Sequence, residues 1–159
     1  MTAKVLNAVP LTPEAFADYG AVLMANGPAP QRDAYAGNIE NKRDQAKPNL
    51  TFIHAAPKPA TIKAVERHEY SSQTFVPMNN VRYLVGVCPS GADGGPNQES
   101  LIVFVATGGQ AVNYNAGVWH SPLCAIERPG EFVMLRWDDE SPDDTELVML
   151  EYPVEVLIK

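Results

Sequence analysis

The sequence has few cysteines, few histidines and few basic residues. It contains two cysteines, three histidines and twelve lysines and arginines in 159 residues. Cys88 and Cys124 lie in or beside apolar runs, with neither the spacing of a Cys-x-x-Cys motif nor a basic neighbour that would activate a thiolate. These features exclude a Cys-x-x-Cys redox or metal motif, and we expect two buried free thiols.

Positive charge is scarce relative to negative charge. Nineteen acidic residues against twelve basic ones give a net charge of -7, which disfavours nucleic acid and anionic membrane surfaces as partners. An anionic substrate would therefore need a local cation, supplied by arginine, lysine or a metal. The acids are concentrated in residues 137–140 and at Asp143 and Asp144, a stretch that we interpret as a solvated loop.

Long hydrophobic runs are also missing. No segment approaches the roughly 18 apolar residues of a membrane span, and residues 1–7 lack the apolar core of a signal peptide. We therefore expect a soluble cytoplasmic protein. The length matches one domain, residues 1–159, that can bury a continuous core without disulfides or a structural metal.

Turn-forming residues are abundant, with 14 prolines and 11 glycines, and this composition predicts many short strands. One helix is expected near the N-terminus, because Thr12 can cap it, Pro13 fits its first position and Gly20 can end it. Residues 27–48 are polar and irregular. We expect them to form a long loop, or arms over the sheet, that serves as a lid or an interface.

From residue 49 onward, apolar runs separated by turn residues predict β-strands. Residues 81–88 alternate with period two, whereas residues 132–135 are apolar on both faces, as in a strand covered by a second layer. The predicted fold class is therefore all-β, a two-layered barrel or sandwich. The predicted strands are 50–55, 61–68, 74–77, 81–88, 101–106, 111–114, 123–127, 132–137, 147–152 and 154–158.

The most informative segment is residues 117–123, Gly-Val-Trp-His-Ser-Pro-Leu. Gly117 permits a tight turn, and Pro122 fits only a strand start, an edge or a bulge, so His120 is predicted at a strand entry. The histidine His54 has no motif around it and is interpreted as structural. A lone histidine such as His120 is also more often structural, unless a second polar cluster faces it.

Such a cluster is predicted at the end of the strand 61–68. Alternation puts Glu66 and His68 on one face, and Gln73 can return to them after a turn. The alternative is an edge strand whose end is solvated. With His120, these residues form a cluster of nitrogen and oxygen ligands suited to a divalent transition metal or to acid–base catalysis.

The spacing of these residues resembles the two motifs of cupin barrels, HxHxxxxE and PxGxxH. This chain has Glu66-x-His68-x-x-x-x-Gln73 and Asn115-x-Gly117-x-x-His120. Glutamate replaces the first histidine and glutamine replaces the glutamate, so that two imidazoles, one carboxylate and one weak amide oxygen remain. We expect such a set to bind a metal loosely and exchangeably.

Four blocks of the sequence resemble, in order and spacing, the bacterial ureidoglycolate lyases of purine and allantoin breakdown. The resemblance covers residues 16–137. The blocks are Phe16-Ala17-Asp18-Tyr19-Gly20, Glu66-Arg67-His68 with Ser72-Gln73-Thr74-Phe75-Val76-Pro77-Met78, Gly109-Gln110-Ala111-Val112-Asn113-Tyr114, and Gly117-Val118-Trp119-His120-Ser121-Pro122-Leu123.

This resemblance implies a cupin-like double-stranded β-barrel with one short N-terminal helix, assembled as a homodimer. It also implies a carbon–nitrogen lyase that splits (S)-ureidoglycolate into glyoxylate and urea, with a divalent metal for which Ni²⁺ is a candidate. Glu66, His68 and His120 are then the expected catalytic residues. The expected metal ligands are Glu66, His68, Gln73 and His120.

The expected substrate-binding residues are Gln73, Asn113, Tyr114, Trp119 and Arg67. Tyr114 and Trp119 fit a role as core aromatics equally well. Arg67 falls on the face opposite His68 in a regular strand, so a bulge or the dimer partner would have to bring it to the site. Arg43 is the other candidate cation for the substrate carboxylate.

Two positions depart from the family pattern. Many bacterial relatives have a second histidine where this chain has Ser121, and residues 37–43 fit poorly to the family's pattern of asparagine, glycine and arginine. Two other functions stay open. One is a ureidoglycolate amidohydrolase that releases ammonia, and the other is a cupin-like protein that binds a small oxyanion without turning it over.

Overall fold

The computed structural model describes residues 4–159 and shows a mainly β, cupin-like barrel with one short helix, as predicted. The strands are β1 (Lys4–Asn7), β2 (Val9–Pro10), β3 (Gly20–Leu23), β4 (Lys47–Ala55), β5 (Thr61–Arg67), β6 (Gln73–Pro77), β7 (Arg82–Cys88), β8 (Ile102–Ala106), β9 (Ala111–Tyr114), β10 (Trp119–His120), β11 (Cys124–Ile126), β12 (Gly130–Asp138) and β13 (Glu146–Leu157). The helix is α1 (Pro13–Phe16), and single 3-10 turns cover Ala36–Asn38, Gln98–Ser100 and Pro142–Asp144. Over the described residues, no helix is long and apolar enough to cross a membrane.

Two sheets face each other. The larger sheet has the order β1-β13-β5-β10-β7-β8-β2, with β11 also paired to β7, and the smaller has the order β3-β9-β6-β12-β4. The β1–β13 and β2–β8 pairs are parallel. This topology makes β5, which carries Glu66, a neighbour of β10, which carries His120, while β6 brings Gln73 from the smaller sheet.

The main core lies between the two sheets. Val85 and Val87 of the larger sheet and Phe132 of the smaller one belong to the same buried cluster. Leu84 and Cys88 alternate with the two valines and pack into a second buried cluster, which residues from both ends of the chain complete. The larger sheet is therefore covered on both faces, and this explains why β7 is buried along almost its whole length.

The predicted N-terminal cap is confirmed. The Thr12 hydroxyl accepts a hydrogen bond from the Ala15 backbone N–H at 3.2 Å. The helix is shorter than the sequence predicts, because the chain turns after Phe16 and Gly20 already pairs with Tyr114 at the start of β3. Phe16 is fully buried in the main core, so the short helix contributes one aromatic anchor.

Most predicted strands are confirmed to within two residues. β4 begins at Lys47 instead of residue 50, because it pairs with β12 along nine residues, and the predicted loop 27–48 ends correspondingly earlier. β13 is one strand where the sequence predicts two, with a register shift between Met149 and Val154. The strands β1, β2 and β3 lack a clear sequence pattern, since each has four residues or fewer and pairs with a distant segment.

Both cysteines are free and buried, as predicted. Burial raises the pKa of the Cys88 thiol to about 11 and also raises the pKa of Cys124. The two thiols therefore stay protonated at neutral pH and act as small apolar side chains.

Candidate active site and metal centre

Glu66, His68 and His120 come together where β5 and β10 pair. Glu66 lies opposite His120 in the register of the two strands, and His68 follows the end of β5. The Glu66 Oε1 atom lies 3.6 Å from His120 Nε2 and 3.8 Å from His68 Nε2. One possible ligand atom from each residue lies within 4.8 Å of the other two, so two distant segments of the chain form one triad.

The glycine turn before β10 fixes His120 on the inner side of the barrel. Gly117 has a φ of +83°, a left-handed conformation that favours glycine. Its N–H donates to the His68 carbonyl at 2.8 Å, which ties the turn to the triad. The next residues alternate, so that Trp119 enters the second buried cluster and His120 faces the inner side.

Backbone carbonyls fix the tautomer of both histidines. His68 Nδ1 lies 2.8 Å from the Asp144 carbonyl oxygen, and His120 Nδ1 lies 2.9 Å from that of Val118. Because a carbonyl can only accept, each Nδ1 carries the proton and donates it, which leaves each Nε2 with a lone pair in the neutral ring. Histidines that bind metals are typically oriented by hydrogen bonds of this kind.

Gln73 completes a set of oxygen and nitrogen acceptors. Its Oε1 lies 2.9 Å from His120 Nε2, and both atoms offer lone pairs when Nδ1 of His120 carries the proton. Together with the Glu66 carboxylate and His68 Nε2, the set matches the N/O ligands of a divalent transition metal, so these residues fit the metal that the family resemblance implies.

The electrostatics of the triad keep Glu66 ionised and His68 neutral. Burial disfavours the Glu66 carboxylate, but its proximity to the two histidines and to the Arg136 guanidinium outweighs this effect and lowers the pKa of Glu66. Burial lowers the pKa of His68 to about 4, and the neighbouring His120 adds to this effect. The Glu66 side chain is 18% exposed and the histidines at most 2%, so the triad is reached from the Glu66 side.

Arg136 is the cation nearest to the triad, and it does not appear among the residues that the sequence pattern selects. Its Nη1 lies 3.1 Å from His68 Nδ1 and donates to Thr145 Oγ1 at 3.0 Å. Asp138 holds the other side of the guanidinium, with Nε 2.6 Å from Oδ1. The sequence does contain a signal for Arg136. Phe132 and Met134 of β12 face inward, and period-two alternation puts Arg136 on the same face.

The prediction of a solvated acidic loop is wrong for Asp139 and Asp144, whereas Glu140 and Asp143 are exposed as predicted. We call residues 139–145 the acidic turn. Asp139 and Asp144 side chains are only 13% and 11% exposed, and both pair with the largely buried Arg43. Arg43 Nη1 lies 2.7 Å from Asp139 Oδ1, and Nη2 contacts Asp144 Oδ1. Burial of these carboxylates is possible because a guanidinium from a distant loop neutralises them.

Tyr114 contacts the triad, whereas Asn113 faces away from it. The Tyr114 ring stacks on His120 with centroids 4.0 Å apart, and it also belongs to the main core, so it has both of the roles considered from the sequence. The Asn113 amide is fully buried on the other face of β9, where it accepts from Thr74 Oγ1 and donates to the Asn38 carbonyl. Asn113 therefore fastens a loop to the sheet.

Arg67 and Trp119 lie on the opposite side of the larger sheet from the triad. The Arg67 guanidinium stacks over the Trp119 ring at 4.5 Å and pairs with Glu146 at 2.8 Å. No bulge separates Glu66 from Arg67 in the pairing with β13, so the alternation of β5 holds and keeps them on opposite faces. Within one chain, the structure does not bring these two predicted substrate-binding residues to the triad.

Ser121 holds two segments together, and His54 lies away from the triad. The buried Ser121 hydroxyl accepts from the Gly86 N–H at 3.0 Å, and the Ser121 N–H donates to the Gly86 carbonyl. It therefore fastens the chain to β7 directly after β10. His54 lies on β4 opposite Glu131 of β12 and is exposed, remote from the triad in sheet order.

Comparison with known proteins identifies the family. The family described as ureidoglycolate lyase matches residues 3–157. A putative ureidoglycolate lyase of Agrobacterium fabrum is 36% identical over 96% of this chain and 95% of that protein. The ureidoglycolate lyases of Schizosaccharomyces pombe and Azotobacter vinelandii are 31% and 33% identical over 100% and 88% of this chain, and over 98% and 89% of those proteins.

The fold and the triad define a cupin-like barrel with a centre of two histidines and one carboxylate. Within that class, the match over nearly the whole length is specific. The chain belongs to the ureidoglycolate lyase family.

Proposed function

We propose that this protein cleaves ureidoglycolate into glyoxylate and urea. The observation that carries the proposal is the ionised Glu66 carboxylate facing two Nε2 atoms at 3.6 and 3.8 Å. Membership of the ureidoglycolate lyase family gives the substrate class. The triad gives the groups that the reaction needs.

The reaction needs one proton to move between two atoms of the substrate. Ureidoglycolate carries a hydroxyl and a urea nitrogen on the same carbon. When the O–H proton leaves, the C=O bond of glyoxylate forms and the C–N bond breaks, and the nitrogen takes up a proton as urea departs. No electrons are gained or lost overall, so one positioned acid–base group is enough.

Glu66 is the group that we assign to this proton transfer. It is the most exposed member of the triad and is ionised at neutral pH, so it can accept the hydroxyl proton and return it to the urea nitrogen. His68 or His120 is the alternative base. The low pKa of Glu66 and the pKa of His68 near 4 make both groups weak bases, so the substrate hydroxyl must be made more acidic.

A divalent metal, with Ni²⁺ as the candidate, supplies that effect when bound, because it lowers the pKa of a coordinated hydroxyl and adds positive charge. Glu66, His68, Gln73 and His120 would hold it. The convergence of their lone pairs supports this assignment.

Arg136 is the residue that we assign to the substrate carboxylate. Its Nη1 lies beside the His68 ring at 3.1 Å, and a guanidinium matches a carboxylate in both charge and shape. Gln73 and Tyr114 lie on the same face of the smaller sheet as Arg136. Asn113, Trp119 and Arg67 are assigned supporting roles, since their contacts join structural elements.

The test is product analysis with freshly made ureidoglycolate, measured against its spontaneous breakdown. The proposal predicts equal amounts of urea and glyoxylate and no ammonia. Release of ammonia with loss of urea would indicate the amidohydrolase instead. Tight binding of the substrate with no product above background, with and without Ni²⁺, would indicate a binding protein.

We also propose a homodimer in the cytoplasm. Leu50, Phe52 and Val76 are 62%, 68% and 41% exposed on the outer face of the smaller sheet, and Val133 lies between Phe52 and Val76. A contiguous exposed apolar face of this kind supports an interface, and the two free thiols fit a reducing compartment. Light scattering should give twice the chain mass for the wild type and a smaller mass for Phe52→Lys, and a monomer at all concentrations would contradict the proposal.

A further inference from the structure

Asp144 connects Arg43 to His68, one through its side chain and the other through its backbone carbonyl. Its side chain contacts Arg43, and its carbonyl oxygen accepts the hydrogen bond from His68 Nδ1 at 2.8 Å. The Asp144 carboxylate also accepts from the Asp139 N–H at 3.1 Å, so it holds the acidic turn closed. The position of the carbonyl that orients His68 therefore depends on what holds this turn.

Arg43 is the group that holds it. Its guanidinium joins Asp139 at 2.7 Å to Asp144 and is 10% exposed. Arg43 is itself fixed near the triad, because its guanidinium lies 5.2 Å from the Tyr70 ring centroid, and the N–H of Lys42 donates to the Tyr70 carbonyl at 2.9 Å. Tyr70 is only two residues beyond His68. Arg43 therefore connects the segment that follows His68 to the acidic turn.

We propose that Arg43 is a positioning residue, which fixes the tautomer and the orientation of His68 through Asp144. The consequence for metal binding rests on the proposed function of the triad, whereas the consequence for the His68 tautomer does not. While Arg43 holds Asp139 and Asp144, His68 Nδ1 donates to the Asp144 carbonyl and His68 Nε2 faces Glu66. Without Arg43, the Asp144 carbonyl moves and the His68 ring proton distributes over both of its nitrogens.

This role differs from the one that the sequence offers for Arg43. Arg43 directs its guanidinium at Asp139, Asp144 and Ser141 of the acidic turn and not at the three triad side chains. Arg43 therefore acts on the triad from behind, whereas Arg136 lies beside the His68 ring.

The experiment compares the wild type with Arg43→Gln and Arg43→Lys. The ¹⁵N shifts of the His68 ring in metal-free protein report the tautomer, and calorimetry with Ni²⁺ alone reports the affinity. We expect Arg43→Gln to show a mixed tautomer and to bind Ni²⁺ about 10- to 100-fold more weakly. Arg43→Lys should recover part of both effects, since it keeps the charge but not the two-pronged contact.

The matched control is Arg82→Gln, which removes a partly exposed arginine paired with Glu127 at 2.6 Å and should change neither readout. A folded Arg43→Gln protein with the wild-type tautomer and wild-type Ni²⁺ affinity overturns the proposal. If Arg43→Gln does not fold, Asp144→Asn replaces it, because the amide oxygen can still accept from Asp139. Asp144→Asn should then change the tautomer and the Ni²⁺ affinity in the same direction but by less. A wild-type tautomer and a wild-type Ni²⁺ affinity in this variant would overturn the proposal.

The two readouts also separate this proposal from the proposed function. A wild-type protein that binds no Ni²⁺ would contradict the metal assignment, while the His68 tautomer would still decide the role of Arg43. Conversely, normal urea release with an unchanged tautomer in Arg43→Gln would retain the lyase and remove the positioning role.

Discussion

His120 and Glu66 are direct cross-strand partners, with Nε2 of the histidine 3.6 Å from Oε1 of the carboxylate. The pairing of β10 with β5 sets this distance, so the backbone of the larger sheet positions the two groups before any ligand is bound. Sites on paired strands are held more rigidly than sites on loops. His68, by contrast, lies just beyond its strand and depends on the acidic turn.

Replacing Glu66 with glutamine should lower kcat for urea release by about 10²- to 10⁴-fold, the usual contribution of an acid–base group. The substitution keeps the size of the side chain and removes its charge. Steady-state kinetics with added Ni²⁺ measures the loss. Glu69→Gln is the matched control, since Glu69 is half exposed and pairs with Arg67, and an equal loss in both variants would refute the assignment.

Arg136→Gln should raise KM for ureidoglycolate by about 10- to 100-fold, because a hydrogen bond between charged groups is worth about 1.5–3 kcal/mol. Arg136→Lys should lie between this variant and the wild type. Arg67→Gln should leave KM close to the wild-type value, since Arg67 lies over Trp119 on the other side of the sheet. If Arg67→Gln raises KM and Arg136→Gln does not, the substrate cation is Arg67.

The acidic turn should make the fold sensitive to acid. Hydrogen bonds from Ser141 and Gln45 and the charge of Arg43 lower the pKa of Asp139 to about 2, below its ordinary value near 3.9. The folded state therefore binds fewer protons than the unfolded state between these values, and the stability that Asp139 provides is present above about pH 4 and lost as pH falls to about 2. Urea unfolding across this range should show a shallower pH slope for Asp139→Asn, and an identical slope would contradict the assignment.

The two thiols should be unreactive in the native protein. Burial raises the pKa of Cys88 to about 11 and raises that of Cys124, so almost no thiolate is present at pH 8. A thiol reagent should therefore modify both cysteines only after denaturation. Rapid modification of either one under native conditions would show that its segment opens.

Local patterns predict much of the fold and part of the site. Period-two alternation correctly puts Glu66 on the face opposite Arg67. The same alternation along β12 puts Arg136 on the inward face with Phe132 and Met134. The turn at Gly117 follows from the sequence because few other residues adopt its positive φ.

Other features depend on contacts that no local pattern contains. The carboxylates of Asp139 and Asp144 are largely buried only because Arg43, about a hundred residues earlier, pairs with both of them. Without that partner, a run of acids is correctly interpreted as solvated. The hydrogen bond between His68 and the Asp144 carbonyl likewise depends on the conformation of the turn. Every residue type has a backbone carbonyl, so the sequence does not indicate which one His68 contacts.

The lyase activity and the metal site are tested together by the rate of urea release as Ni²⁺ is added back to chelator-treated protein. We predict that the rate rises in proportion to bound metal and saturates at one ion per chain, and that His120→Ala shows neither tight binding nor the rise. A full rate in metal-free protein would contradict the metal assignment. No urea above the spontaneous background at any metal content would contradict the lyase itself.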